Sequence, residues 1–357
     1  MLVIKRFILL VCALIISLVF LEFVSQLFFP VSNDFWRHDK DLGYSLIPGK
    51  EGRYISQDFD INVKINSQGF RDVERDFYNK DSFRILVVGD SFVEALQVPL
   101  ENSFSQLLGN KLSYLGKYEV VSMGVSGYGT LQELIMFNKS GVEYSPDLVV
   151  LMFLPLNDPY DNSVYLEQDT KVPFYVNSTI IYPKQPGKIK TFFKYIYGKS
   201  NLFRSLVLLQ RKLLSGSSSM NGTNTPPVFY GVYSNNYTKE WGDAWNVTEL
   251  LLSKFNDAVN SSGSKLVVFI VPAKEQVYSF SDNTFDVYNY NLSRPTDITL
   301  NICNKLGIIC YDMRKVFFDS SISNETYYKH DGHWNILGNS LAADFIYEKL
   351  INDKLID

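Results

Sequence analysis

Phe7–Phe29 is an almost unbroken apolar run, interrupted by Glu22, Ser25 and Gln26 and preceded by Lys5 and Arg6. At about 1.5 Å per helical residue, such a run crosses a hydrocarbon layer about 30 Å thick. The positive residues ahead of it predict a cytoplasmic N-terminus and an exported remainder. A cleaved signal peptide is the competing reading. No small-x-small site stands between Phe20 and Pro30, which favours an uncleaved anchor over residues 1–30. Cys12 follows Leu9-Leu10-Val11, without the small residue that a lipoprotein cleavage site needs.

Val31–Asp81 is polar and irregular, so residues 31–82 read as an extension. Within it, alternation over Phe59–Ile65 predicts one strand, and Asn66-Ser67-Gln68-Gly69-Phe70-Arg71 predicts a turn. From Phe83 onward, apolar runs alternate with helical periodicity. Arg84–Gly89 reads as a strand buried on both faces, Tyr118–Met123, Asp147–Leu154 and Lys265–Val271 as further strands, and Gly307–Tyr311 as a short fifth. Helices are predicted over Ser103–Leu115, Leu131–Lys139, Thr248–Asn260 and Leu337–Lys349. This alternation implies a parallel sheet wrapped by helices on both faces, an α/β domain over 83–357. An insertion at about 160–248 interrupts it. The insertion holds one amphipathic basic helix, Ile189–Leu214, and then a Ser/Gly/Asn/Pro-rich loop, Ser215–Pro227. That helix reads as a solvated face packed on the domain, with contact to a membrane surface as the alternative.

Composition narrows the class. The chain has 357 residues, 46% of them hydrophobic, enough to bury a full core. A net charge of −4 gives no basic excess and argues against nucleic acid as a partner. Aromatics reach 15% against 20% charged residues, which suits a stacking surface for sugars or acyl chains and equally suits an aromatic core. N-x-S/T sequons begin at Asn138, Asn177, Asn221, Asn236, Asn246, Asn260, Asn291 and Asn324, and carry meaning only in a host that glycosylates exported proteins. Cys303 and Cys310 either pair in an oxidising compartment or stay as two buried thiols. No Cys/His cluster suggests a metal.

Candidate chemistry begins at Gly89-Asp90-Ser91-Phe92, directly after the first buried strand. A serine at a strand-to-helix turn presents its hydroxyl at the carboxyl edge of the sheet, with its N–H at a positively polarised helix start. Such a nucleophile needs a base. The chain has three histidines: His38, His330 and His333. His38 follows the anchor in irregular sequence. The others flank Asp331 in His330-Asp331-Gly332-His333-Trp334-Asn335, just before the last helix. Asp331 and His333 are two apart, so extended backbone would point both side chains the same way. His330 is the rival base. An oxyanion needs further donors; the loop Gly124–Thr130 follows the second strand, and Asn157-Asp158 follows the third.

Together these blocks resemble the SGNH/GDSL hydrolase superfamily over roughly Phe83–Leu350, with 160–248 outside the recognisable blocks. The family's Ser, Gly, Asn and Asp/His blocks fall, in order, on Ser91, Gly127, Asn157, Asp331 and His333. Ile65–Asp72 also resembles a stretch found in exported, N-terminally anchored members. The D-x-H-W-N arrangement resembles the alginate O-acetyltransferase-like branch. Pro155 and Ser122 depart from the common family residues, and the Asp/His pair is D-G-H rather than D-x-x-H.

The resemblance implies a flavodoxin-like three-layer α/β/α domain. It also implies Ser91 as nucleophile, His333 as base and Asp331 as its orienting carboxylate. The N–H groups of Ser91 and Gly127 and the amide of Asn157 would form the oxyanion hole, with no metal or organic cofactor. The expected function is an esterase acting on an acyl ester of an exported polysaccharide or glycolipid. O-acyl transfer to a surface polysaccharide and a non-catalytic binding protein on the same fold are the alternatives. The expected location is a single-pass membrane protein with its catalytic domain outside the cytoplasm.

Overall fold

The computed structural model describes residues 2–77, 81–218, 228–278, 289–321 and 325–356. Asn221 and Asn324 of the sequons, and the part of the Ser215–Pro227 loop beyond Ser218, lie outside these residues.

The apolar run forms helix α1 (Leu2–Phe28), long and apolar enough to cross a membrane. The extension holds more strand than its alternation revealed. Hairpin β1 (Trp36–Asp39) and β2 (Gly43–Leu46) precedes hairpin β3 (Glu51–Ile55) and β4 (Asp60–Lys64), where a single strand was expected. β3 reads Glu-Gly-Arg-Tyr-Ile, too polar for its periodicity to show.

Next come β5 (Phe83–Gly89), the short helix α2 (Ser91–Glu94), α3 (Phe104–Ser113), β6 (Tyr118–Gly124), α4 (Thr130–Lys139), β7 (Leu148–Phe153) and the short α5 (Asp158–Asp161). The insertion carries hairpin β8 (Phe174–Val176) and β9 (Thr179–Ile181), then α6 (Lys188–Lys199) and α7 (Asn201–Ser218). The one helix expected over Ile189–Leu214 is therefore two. The break is Ser200, whose φ of −109° and ψ of 120° are extended. Ser200 is held out of helix and Asn201 starts α7, both bonded to partners on α1, which helical periodicity cannot register.

α8 (Lys239–Ser261) starts nine residues before the expected Thr248, because Trp241, Ala244 and Trp245 continue its buried stripe. β10 (Lys265–Ile270), α9 (Lys274–Tyr278), α10 (Arg294–Leu306), β11 (Ile309–Asp312), α11 (Arg314–Ser321) and α12 (Ile336–Asn352) complete the chain.

The central sheet has five strands, all parallel, in the order β6-β5-β7-β10-β11. Counted among themselves, these strands run 2-1-3-4-5, the flavodoxin-like order, which leaves a crevice where the winding reverses at β5. Alternate strand residues feed opposite faces. Ile85, Val87, Val150 and Phe269 pack with α3 and α12, whereas Leu86, Val88, Val149 and Val268 pack with α4, α8 and α10. The extension belongs to the second core: Phe35, Leu42, Leu46, Val63, Ile65 and Phe70 are buried in it. Cys303 at the end of α10 and Cys310 on β11 form a disulfide, with Cα atoms 6.2 Å apart.

Candidate active site

Ser91 is the first residue of α2, and its setting depends on two glycines. A Cβ on Gly89 would lie 2.5 Å from Val93 Cγ2, and one on Gly124 would lie 2.2 Å from the Glu94 nitrogen. Their bare backbones let α2 settle onto the ends of β5 and β6. Asp90 caps the helix, its Oδ1 accepting the Phe92 N–H at 2.9 Å. Ala95, at φ +50°, ends it after one turn.

The histidine arrives from the far end of the chain on a pinned loop. Tyr327 bridges Trp334 in antiparallel fashion, and the Tyr328 N–H donates to the His333 carbonyl at 2.9 Å. Trp334 is buried between Phe92, Phe104 and Phe317. Asn335 caps α12 by accepting the Gly338 N–H at 3.0 Å. With the loop so held, His333 Nε2 lies 2.7 Å from Ser91 Oγ, and Nδ1 hydrogen-bonds Asp331 Oδ1.

Asp331 and His333 do not meet through extended backbone. Residues 329–333 bend, and Asp331 Oδ1 also accepts the His333 backbone N–H at 3.2 Å. This is the turn that a short Asp side chain favours. The two-residue spacing thus brings the side chains together through a turn and not through the extended backbone expected. His330 pairs elsewhere: its Nδ1 lies 2.7 Å from Asp58 Oδ1. His38 lies on β1, with Nε2 2.7 Å from Gln185 Oε1.

Gly127 sits in the loop after β6 with φ +74°, where a Cβ would come 2.7 Å from the Tyr44 hydroxyl. Asn157 is the N-cap residue of α5, after β7, and its side chain makes no capping bond. Both occupy the carboxyl edge of the sheet, as Ser91 does.

The extension buttresses the loops that carry Gly127 and Asp331 and the segment just past Ser91, a role its irregular sequence did not disclose. The Tyr44 hydroxyl donates to the Ser126 carbonyl at 2.9 Å, holding the loop that carries Gly127. Arg71, 3% exposed, donates to the carbonyls of Glu94, Ala95 and Val98 just past α2. Asp72 accepts the Ser122 N–H of β6 at 3.0 Å. Asp58 accepts the backbone N–H groups of His330 and Asp331 at 2.7 and 2.8 Å. The His330 bond holds the Asp58 carboxyl below its usual range. Arg71 and Asp72 had a signal in Ile65–Asp72; Asp58 had none.

Beneath the site lies a set of buried acids. Burial pushes the Asp90 carboxyl up to about 6, and that of Glu94 up to about 7. Glu94 Oε2 accepts the Ser126 N–H at 3.0 Å and the Ser126 hydroxyl. Asp158 accepts from the Thr130 hydroxyl at 2.6 Å and the Leu154 N–H at 2.8 Å, and burial raises its carboxyl. Glu133 on α4 is fully buried, and burial likewise raises its carboxyl well above the usual range. In each of these acids burial works against the charged form.

The arrangement offers a hydroxyl, an imidazole and a carboxylate in line at the mouth of a parallel sheet. That suits proton removal from the serine during attack on a carbonyl carbon.

Residues 234–357, which include Asp331 and His333, match the sequence model of a family described as ALGX, an SGNH hydrolase-like domain of the acetyltransferase AlgX. Among solved structures, the chain is similar to the acetyl xylan esterase AlAXEase, at 15% identity and a TM-score of 0.41, over 75% of this chain and 100% of that one. It is also similar to the psychrotrophic esterase EstA from Pseudoalteromonas sp., at 10% identity and a TM-score of 0.43, over 77% and 100%. No curated protein matches the chain.

Proposed function

We propose that the chain is an SGNH-type hydrolase of the AlgX-like kind, a membrane-anchored serine enzyme that forms an acyl-enzyme on Ser91; the match of residues 234–357 to that family model supports this reading. The observation that carries this reading is the hydrogen-bonded chain from Ser91 Oγ through His333 to Asp331. Ser91 Oγ attacks the ester carbonyl carbon while His333 Nε2 takes its proton. The imidazolium formed is stabilised by Asp331, and the negative oxygen is met by the N–H groups of Ser91 and Gly127 and the Asn157 amide. Collapse breaks the bond to the leaving alcohol, which receives the proton from His333. Water, deprotonated by His333, then releases the acid and restores Ser91. No metal or organic cofactor enters these steps.

Transfer to a carbohydrate hydroxyl in place of water is the second reading, favoured by the match to an acetyltransferase family over the residues that hold the base. Hydrolysis would act on an acyl ester of an exported polysaccharide or glycolipid, whereas in transfer a hydroxyl of the surface polysaccharide is the acceptor. The exported side is supported by Lys5 and Arg6 ahead of α1, and by the Cys303–Cys310 disulfide, which persists in oxidising compartments. An uncleaved anchor is supported by the hydrogen bonds that Glu22, Ser25 and Phe29 make to Asn201, which cleavage would abolish.

The test is the full-length protein with p-nitrophenyl acetate, with and without a polysaccharide acceptor, following the acetyl group. Wild type should release nitrophenol, and Ser91→Ala should lose roughly 10⁴-fold or more in rate. A folded Ser91→Ala protein with near wild-type turnover would sink the assignment. Acetyl appearing on the acceptor selects transfer; acetate alone selects hydrolysis. A reporter at Asp357 that is active only in the cytoplasm would refute the orientation.

A further inference from the structure

Helices α6 and α7 are not explained by the site. Seven of their large apolar side chains, Ile189, Phe192, Phe193, Tyr195, Leu206, Leu209 and Leu213, are more than half exposed. Their charge is one-sided. Lys188, Lys190, Lys194 and Lys199 lie on α6, Arg204, Arg211 and Lys212 lie on α7, and neither helix carries an acid, in a chain whose net charge is −4. A solvated surface helix does not combine these two features; an interfacial one does.

Their attachment fixes their level. The Glu22 carboxylate of α1 accepts the Ser200 hydroxyl at 2.6 Å and the N–H groups of Asn201 and Leu202 at 2.7 and 3.1 Å. Asn201 Nδ2 donates to Ser25 Oγ at 3.2 Å and to the Phe29 carbonyl at 3.1 Å. The start of α7 is thus capped by a carboxylate from within the apolar helix, which also gives that carboxylate the partners it needs away from water. Glu22 precedes the end of α1 by nearly two turns, about 9 Å along its axis. The α6–α7 turn therefore lies below the level at which α1 ends.

Between this hairpin and the start of the extension, whose Pro30–Asp34 and Tyr54–Ser56 form the opposite wall, lies a groove of about 820 Å³. Phe193, Phe203, Val207 and Leu208 give it an apolar lining, with Trp36 from the extension. Lys190 and Arg211 also line it, and Lys194 is already paired with Asp34 at 2.6 Å. An apolar trough with ammonium and guanidinium groups fits a molecule with an acyl chain and a phosphate.

We propose that the α6–α7 hairpin is embedded in the membrane interface and that its groove binds an anionic phospholipid of the bilayer that α1 crosses. The inference rests on the anchored topology above. It assigns the insertion a second membrane contact, which fixes how the domain stands on the surface instead of leaving it to swing about one helix.

The test uses the full chain with Cys12→Ser, kept oxidised, in nanodiscs of phosphatidylcholine alone or mixed with phosphatidylglycerol. Nitroxides are placed singly by Leu209→Cys on α7, Ser17→Cys within α1, and Tyr114→Cys, a site 89% exposed. Collision with oxygen against a water-soluble nickel chelate then reads depth. Leu209 should report lipid, as Ser17 does, and Tyr114 should report water. If Ser17 reports lipid and Leu209 reports water, the hairpin proposal falls and the anchor stands. If Ser17 itself reports water, both fall. Native mass spectrometry from the mixed discs supplies the second readout. The double variant Lys190→Glu, Arg211→Glu should retain bound phosphatidylglycerol at least about fivefold less than wild type. Equal retention, or no retained phosphatidylglycerol in wild type, would overturn the lipid site.

Discussion

His333 and His330 are separated by Asp331 and Gly332, yet they face different partners. His333 reaches Ser91 and His330 reaches Asp58. We expect His333→Ala to lose several orders of magnitude in kcat, because the serine then has no base. Asp331→Asn should also be severely impaired, since an amide holds the wrong imidazole tautomer and cannot offset an imidazolium charge. His330→Ala should lose less than about tenfold, because Asp58 keeps its backbone bonds to the loop. Steady-state kinetics on the three variants decides the matter: an inactive His330→Ala beside an active His333→Ala would reverse the assignment.

At the scale of elements, a four-residue helix has little stability of its own. α2 holds its place through Asp90 at its start, the glycines beneath it, and the Arg71 guanidinium at its end. Burial lowers Arg71 to about 10, still far above neutrality, so it is charged and depends on the carbonyls it meets. Arg71→Met should cost roughly 2–4 kcal/mol in urea unfolding, because those carbonyls are left without a donor. Its kcat should fall more than its KM rises, since Ser91 loses its support while the surface around it stays. An unchanged unfolding midpoint would remove Arg71 from this role.

Across the whole molecule, the buried acids tie stability to pH. Glu94 is held at about 7 by burial, above its ordinary value of 4.5, so the folded state keeps a proton that the unfolded state releases. Its contribution is fully present below pH 4.5 and is lost as pH rises to about 7. The loss is of the order of 3 kcal/mol. Glu94→Gln, which still accepts from Ser126, should flatten that part of a plot of Tm against pH. Asp90 and Asp158 continue the trend, so the slope should shrink and not vanish. Parallel profiles for variant and wild type would contradict this placement of the proton.

Periodicity and local chemistry were enough to mark the N-terminal apolar helix, the five strands of the sheet, the serine after the first of them, and the Asp331–His333 pair. Each of these is written in a short stretch of chain: a run, an alternation, a turn, a two-residue spacing. The partners that hold them are not. Asp58 meets Asp331 across 273 positions and Glu22 meets Asn201 across 179, and no local pattern distinguishes either acid from a solvated one. Of the extension's four strands only β4 shows in the alternation of the sequence; the other three are half polar and become recognisable only when Phe35, Leu46 and Ile65 enter a core built by α4 and α8. The break at Ser200 likewise exists because Glu22 of α1 captures the groups that would otherwise continue a helix. Tertiary structure decided these features because hydrogen bonds and packing join residues by distance in space, whereas sequence patterns report only neighbours along the chain.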